Sequence, residues 1–321
     1  MRLITHGRGD ARRRLRLLAV TAGIATAAIA AVATAGVASA SGGVTGYTIV
    51  HGAASAITPG QTVGANVACP SGKVVLSGGV SAHSPLTFIR SSFPLSSRTW
   101  AVVVTDTGIE TYTEHFTPYA VCVNAASVPG IHQVATARLP VGPATYYGPN
   151  IAAADAYCSS GEVVVGGGVR SDNKNALLTV SRPTPDTQAW EVYVHLTVNP
   201  PVTAYYTVFS VCIPSADVSS YAIDTAASGA YGTFLDLSQP GAAATSVPPG
   251  VFNTAASGFC GAGQLAVAGG ATNHDQTNGF ISSVVPDASG KYWLATSTDI
   301  NPPTSYSEYF LPTAVCVAGT T

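Results

Sequence analysis

Charged residues are scarce in this chain: they make up 9% of it, whereas 46% of its residues are apolar. That balance argues against disorder, because disordered segments have low hydrophobicity and high net charge. After residue 40 the sequence also has no segment with the 3.6-residue period of an amphipathic helix. What it has instead is 33 glycines and 21 prolines among many β-branched residues. This composition predicts short strands joined by tight turns.

Motifs of common enzyme classes are missing as well. The chain has no G-x-S-x-G, no H-E-x-x-H, no P-loop and no glycine-rich turn placed between a strand and a helix. No two cysteines have the short C-x-x-C spacing of a zinc site. We therefore predict that the protein is not an enzyme and holds no cofactor. A catalytic site formed between repeated units is the less favoured alternative.

The most informative feature present is a threefold internal repeat. The pattern C-x-x-G, five residues, then G-G occurs at residues 69–80, 158–169 and 260–271. Each copy is followed by a Ser-x-Pro turn, matched only loosely by Ser283-Val-Val-Pro286 in the third, then by one tryptophan and a second cysteine. A period of this length indicates a repeated folding unit. We divide the chain into a signal peptide at 1–40, module one at 41–126, module two at 127–216 and module three at 217–321.

Each module contains two cysteines and one tryptophan at nearly constant spacing. The two cysteines are 53, 54 and 56 residues apart in the three modules. In an exported chain such cysteines predict a disulfide framework, and the repeat selects one pairing from the 15 that six cysteines allow. The predicted disulfides are Cys69–Cys122, Cys158–Cys212 and Cys260–Cys316, and the predicted core tryptophans are Trp100, Trp190 and Trp293.

The N-terminus indicates export. Five arginines between residues 8 and 16 precede an alanine-rich apolar run, which ends at the small residues Ala38-Ser39-Ala40. This pattern predicts a secreted protein, with a signal peptide cleaved near Ala40, and both Sec and twin-arginine export fit it. An uncleaved membrane anchor is the alternative. Cleavage removes six of the 14 basic and one of the 16 acidic residues, so the mature chain is acidic. We accordingly expect no nucleic-acid partner, and no membrane contact after cleavage.

Alternation along the tryptophan strand supports an all-β fold. In residues 190–198 every second residue is apolar, starting from Trp190, so one face of the strand is expected to be core. Several short antiparallel strands, one core tryptophan and one disulfide predict a small β-sandwich-like module. Only short linkers separate the three tandem modules, so we expect them to pack against one another. A linear string of modules is the alternative.

The combined pattern C-P-x-G-x-x-x-x-x-G-G, S-x-P, W and Y-A-V-C, clearest at residues 69–122, resembles an uncharacterised β-rich module of secreted actinobacterial proteins. Similar modules also occur behind collagen-like repeats. The resemblance covers nearly all of residues 44–321 and implies no activity. It does imply a module that tolerates threefold-related neighbours, so that three copies in one chain are expected to pack with pseudo-threefold symmetry.

One set of polar residues recurs at the same place in each module. His83, Asp172 and His274 each lie in the polar stretch directly after the Gly-Gly pair. Two imidazoles and one carboxylate would form a plausible metal site if the three loops converged, although loops are commonly polar without one. For function, we expect a secreted, non-catalytic binding or adhesion protein, with carbohydrate, cell-envelope or protein partners. A structural extracellular or cell-envelope protein is the alternative.

Overall fold

The computed structural model describes residues 42–108, 111–141, 150–197, 204–225, 245–247, 254–273, 279–299 and 308–321. The predicted signal peptide at 1–40 and His274 lie outside these residues. Within the described part of the chain, no helix is both long and apolar enough to span a membrane.

The described chain is built from strands, which confirms the predicted all-β class. In module one the strands are β1 (Thr48–His51), β2 (Ser55–Ile57), β3 (Thr62–Ala68), β4 (Lys73–Ala82), β5 (Thr87–Ser96), β6 (Thr99–Asp106) and β7 (Glu114–Asn124). In module two they are β8 (His132–Ala135), β9 (Leu139–Val141), β10 (Ile151–Tyr157), β11 (Glu162–Ser171), β12 (Ala176–Pro183), β13 (Ala189–Leu196) and β14 (Ala204–Pro214). In module three they are β15 (Ala222–Thr225), β16 (Thr245–Val247), β17 (Thr254–Phe259), β18 (Gln264–Asn273), β19 (Gly279–Pro286), β20 (Tyr292–Asp299) and β21 (Glu308–Ala318). Two single 3-10 turns, Ala125–Ser127 and Ser215–Asp217, follow β7 and β14.

These strands form three antiparallel sheets of seven strands, and every sheet combines strands from two modules. The first sheet joins β1, β2, β7 and β4 of module one to β19, β20 and β17 of module three. The second joins β3, β6 and β5 of module one to β11, β14, β8 and β9 of module two. The third joins β10, β13 and β12 of module two to β18, β21, β15 and β16 of module three. The two layers of each module thus belong to two different sheets, and the modules close into a ring with pseudo-threefold symmetry.

We call the three junctions seam 1–2, seam 2–3 and seam 3–1, after the modules that meet there. At each seam the Ser-x-Pro strand of one module pairs with the Gly-Gly strand of another. The paired residues include Ser92 with Val169 at seam 1–2, Ser181 with Ala271 at seam 2–3, and Val284 with Val80 at seam 3–1.

The second glycine of each Gly-Gly pair explains how these strands approach. A Cβ atom on Gly168 or Gly79 would lie 1.8 Å from a carbonyl oxygen of the neighbouring module, and on Gly270 it would lie 1.9 Å away. The carbonyls belong to the strand across the seam, at Ser92, Val284 and Ser181 respectively. Only glycine fits so close to another backbone.

The first glycine makes room for the tryptophan of its own module. A Cβ atom on Gly78, Gly167 or Gly269 would lie 2.4, 2.3 or 1.9 Å from Cγ of that tryptophan. The three indoles, Trp100, Trp190 and Trp293, are 0%, 2% and 0% exposed. The Gly-Gly pair therefore serves two contacts at once, one to the module's own core and one to the seam.

The indole N–H of the core tryptophan has a serine acceptor in modules one and two but not in module three. Trp100 Nε1 donates to Ser92 Oγ at 2.9 Å, and Trp190 Nε1 donates to Ser181 Oγ at 3.0 Å. In module three Pro286 pairs with Trp293 as Pro183 pairs with Trp190. This register places Val284, and not Ser283, at the position that Ser92 and Ser181 occupy in modules one and two. Trp293 Nε1 is buried and has no hydrogen-bond partner among the described residues.

The core is continuous around the pseudo-threefold axis. A small cavity of about 20 Å³ lies on the axis, since apart from Trp190 its lining consists of matching residues from all three modules: Gly78, Gly167 and Gly269; Ile89, Leu178 and Ile281; Ser92, Ser181 and Val284. Such a volume holds about one water molecule. A separate apolar cluster of Phe88, Leu177 and Phe280 also takes one residue from each module.

Covalent and terminal contacts complete the ring. The disulfides are Cys69–Cys122, Cys158–Cys212 and Cys260–Cys316, so each joins the two cysteines of one module. Val44 and Gly319 form an isolated parallel bridge, in which Val44 N donates to Ala318 O at 2.9 Å. The first described residues of module one are therefore held against the last residues of module three.

Candidate functional site

A groove on module two brings together guanidinium, carboxylate, phenol and hydroxyl groups. Its volume is about 330 Å³, which lies within the ordinary range for ligand sites. We call it the arginine groove, and its lining residues are Arg138, Arg170, Asp172, Tyr205, Tyr206 and Thr207.

Strand pairing positions the aromatic wall of the groove. Arg138 directly precedes β9, which pairs with β14 so that Pro140 lies opposite Tyr205. The Arg138 guanidinium carbon lies 3.8 Å from the centroid of the Tyr205 ring, a cation–π contact. Arg138 also forms an ion pair with Asp172, whose side chain remains 41% exposed. The groove floor is therefore held in place while its polar atoms stay accessible.

The backbone of the Asp172 loop is fixed by β14. Asp172 Oδ1 accepts a hydrogen bond from Tyr205 N at 2.8 Å, and Asp172 N donates to Tyr205 O at 3.1 Å. Partial burial acts to raise the pKa of Asp172, but the hydrogen bonds from Arg138 and Tyr205 N and the Arg138 charge outweigh it. The pKa of Asp172 is consequently lowered, so the carboxylate is ionised at neutral pH.

Two more arginines, Arg170 in the groove lining and Arg90 near it, contribute positive charge to this region. Arg170 is exposed near the end of β11, with its guanidinium carbon 6.0 Å from the Phe93 ring centroid. Arg90, from β5 of module one, donates from Nη2 to Ser171 O at 3.0 Å across seam 1–2. Burial lowers the pKa of Arg90, and the charge of Arg170 lowers it further while Asp172 opposes them. An arginine side chain nevertheless stays protonated in proteins. One guanidinium group, that of Arg138, is thus paired with the Asp172 carboxylate; Arg170 shares the groove lining with it, and Arg90 lies within electrostatic reach of both.

The arginines of this constellation are not part of the repeat. Counted from the first cysteine of each module, Arg170 corresponds to Ser81 and Thr272. Counted back from the closing cysteine, Tyr205 corresponds to His115 in module one and to Tyr309 in module three. The strand register matches Arg138 to Ala54. Arg138 and Arg170 are therefore additions to module two that the repeated fold does not require.

The predicted metal-site residues have different surroundings. Asp172 lies in the arginine groove and is paired with Arg138. His83 is exposed after β4, where its backbone N donates to His115 O at 3.0 Å, the contact that matches Asp172 N to Tyr205 O. His274 is outside the described residues. The metal site of His83, Asp172 and His274 stays a prediction.

A second group with metal-ligand chemistry lies elsewhere on module two. His132, Glu162 and Cys212 place one ligand atom each within 4.8 Å of one another. Cys212 is bonded to Cys158, so its sulfur is not a thiolate, the form that ligates metals. His132 Nε2 lies 3.5 Å from Glu162 Oε2, and this contact between an imidazole and a carboxylate accounts for the grouping.

Sequence reasoning singled out Asp172 but missed the arginines around it. A signal was present, because only eight basic residues follow residue 40 and three of them are Arg90, Arg138 and Arg170. Their convergence depends on β9 folding back along β14 and on a strand from module one.

Comparison with protein-family models gives no match, and comparison with curated proteins gives none either.

Proposed function

We propose that the chain is a secreted, non-catalytic binding protein whose arginine groove holds an acidic saccharide. The observation that carries this proposal is the clustering of Arg90, Arg138 and Arg170 in a chain whose mature part is acidic overall. Guanidinium groups bind carboxylates through two parallel hydrogen bonds, and half-buried Tyr205, with its ring against Arg138, adds an aromatic side chain to the groove lining. The three disulfides fit export to an oxidising compartment.

The geometry favours an anion over a neutral sugar. Arg138 forms an ion pair with Asp172. Arg170 is exposed at the groove without being part of this pair, and Arg90 lies close enough to feel its charge. A ligand carboxylate would therefore meet positive charge that Asp172 does not fully neutralise. Asp172 would meanwhile accept hydrogen bonds from sugar hydroxyls. We propose recognition and not catalysis, since the ionised Asp172 is poorly suited to act as a general acid.

The test uses oligogalacturonate as the carboxylated probe and its methyl ester as the neutral control. Isothermal titration of the mature chain should show binding of the acid and at least tenfold weaker binding of the ester. Arg170→Ala should weaken binding about tenfold or more, because hydrogen bonds to charged groups contribute about 1.5–3 kcal/mol. Lys174→Ala, an equal charge change in the loop that follows β11 and outside the groove lining, should change affinity less than twofold. Failure of the acid to bind, or equal binding of the ester, would overturn the proposal.

A structural extracellular role is the second candidate, favoured by the closed ring in which every sheet spans two modules. Such a body needs no ligand. If this structural role is the function, the Arg170→Ala variant should leave the stability of the protein unchanged, whereas variants at the seams should lower it.

A further inference from the structure

One position is filled by tyrosine in two modules and by isoleucine in the third. The residue directly before the first strand of each module is Tyr47, Ile131 or Tyr221. The three are equivalent by register, because the residue that follows each one pairs with the closing cysteine of its module: Thr48 with Cys122, His132 with Cys212, and Ala222 with Cys316.

Both tyrosines cross a seam and donate to the same backbone position. Tyr47 Oη donates to Ala266 O at 2.9 Å across seam 3–1. Tyr221 Oη donates to Val164 O at 2.7 Å across seam 2–3. Each acceptor lies six residues after the first cysteine of its module and pairs with the closing cysteine. Burial raises the pKa of both phenols, so both remain hydrogen-bond donors at neutral pH.

Seam 1–2 has the acceptor position but no tyrosine. Val75 is the equivalent residue in module one, since it lies six residues after Cys69 and pairs with Cys122. Opposite it stands Ile131, which has neither the ring nor the hydroxyl. A pocket of about 200 Å³ lies here, lined by Val75, Ser97, Ile131, His132, Gln133 and Val211.

The pocket has the size and access needed for one aromatic ring. A dry protein cavity of about 150 Å³ is large enough to bind benzene. Ser97, His132 and Gln133 are exposed, so the pocket reaches the surface. Val75 and Val211 are 1% and 0% exposed and supply an apolar floor.

We propose that this pocket binds a phenolic ring, whose hydroxyl donates to the Val75 carbonyl as Tyr47 and Tyr221 do at the other two seams. The ligand is a para-substituted phenol, either a small molecule or a tyrosine side chain of another chain. The site is separate from the arginine groove and does not depend on the proposed saccharide.

The probe is p-cresol, which is the tyrosine side chain itself, titrated into the mature chain with methyl NMR as the readout. Shifts should be confined to Ile131, Val75 and Val211 and should fit one site. Toluene, which lacks the hydroxyl, should bind at least threefold more weakly. A parallel titration with N-acetyl-tyrosinamide identifies the source: binding of this amide points to a tyrosine of a partner chain, and binding of p-cresol alone points to a small phenol.

Two variants test the proposal in opposite directions, one by filling the pocket and one by opening an equivalent pocket at another seam. Ile131→Tyr copies the other seams and should reduce p-cresol affinity at least tenfold. Tyr47→Ile copies seam 1–2 into seam 3–1 and should create a second p-cresol site, with shifts at Ala266. The second variant keeps the proposal testable if the first does not fold. The proposal is overturned if p-cresol produces no shifts, if toluene binds as tightly, or if Tyr47→Ile folds and gains no site.

Discussion

Modules one and two differ from module three at the indole of the core tryptophan. In the first two modules this N–H donates to a serine, whereas in module three Val284 stands at the serine position and Trp293 Nε1 has no hydrogen-bond partner within the described part of the chain. Both glycines of the Gly-Gly pair are nevertheless kept in all three modules. The difference reflects the size of the penalties. An unpaired buried N–H costs about 1–3 kcal/mol, which a fold can tolerate, whereas a Cβ atom 1.8 Å from a backbone carbonyl prevents the seam from forming.

The largest loss of stability is expected at the second glycine of the Gly-Gly pair, which all three modules share. Gly79→Ala should destabilise the protein by at least about 3 kcal/mol, because the new Cβ meets the Val284 carbonyl, which has no rotamer to move into. The measurement is chemical denaturation of the mature chain. Gly64→Ala is the control, since a Cβ there would lie 3.6 Å from its nearest atoms. Equal stability of the two variants would show that the second glycine does not set the seam.

A smaller effect is expected from making module two resemble module three. Ser181→Val removes the acceptor of Trp190 Nε1 and should cost about 1–3 kcal/mol in unfolding free energy. The specific check is a double-mutant cycle with Trp190→Phe, which removes the N–H. Trp190→Phe should cost less in the Ser181→Val background than in the wild type. Additive costs would mean that the serine acts by packing and not through the hydrogen bond.

The smallest effect is expected from the reverse change. Val284→Thr keeps the shape of the side chain and adds a hydroxyl where modules one and two have serine. A hydrogen bond from Trp293 Nε1 should then stabilise the protein by about 1 kcal/mol. Thermal unfolding measures the gain, with Val285→Thr as the neighbouring control that should give none. A Val284→Thr protein that is no more stable than the wild type would show that the N–H is satisfied in another way.

Much of the fold could be predicted because its determinants are local. The alternation after Trp190 places a core face, and the constant spacing of Cys158 and Cys212 selects their pairing. The exchange of strands between modules could not be read from the sequence, because β5 looks the same whether it pairs within a sandwich or with β11 across a seam. Ser283 was similarly matched to Ser92 by residue type, whereas the pairing of Pro286 with Trp293 assigns that place to Val284.

The candidate sites were harder to predict, because both depend on contacts between distant parts of the chain. Asp172 was found from its place in the repeat, but Arg138 reaches it only because β9 lies along β14. The pocket beside Ile131 is visible only once Tyr47 and Tyr221 are seen to occupy equivalent places at the other seams. In both cases the departure from the repeat, and not the repeat itself, marks the candidate site.

The central claim is that sheets pass from one module into the next and close the ring at seam 3–1. Methyl NOE spectroscopy of valine- and isoleucine-labelled protein tests it directly, since Val80 and Val284 are paired across this seam. Directly opposed side chains in an antiparallel pair lie about 4.5–5.5 Å apart at Cβ, so a strong cross-peak is predicted. The pair Ile89 and Val104 within module one serves as the internal reference. A spectrum that shows the Ile89–Val104 peak and no Val80–Val284 peak would contradict the account.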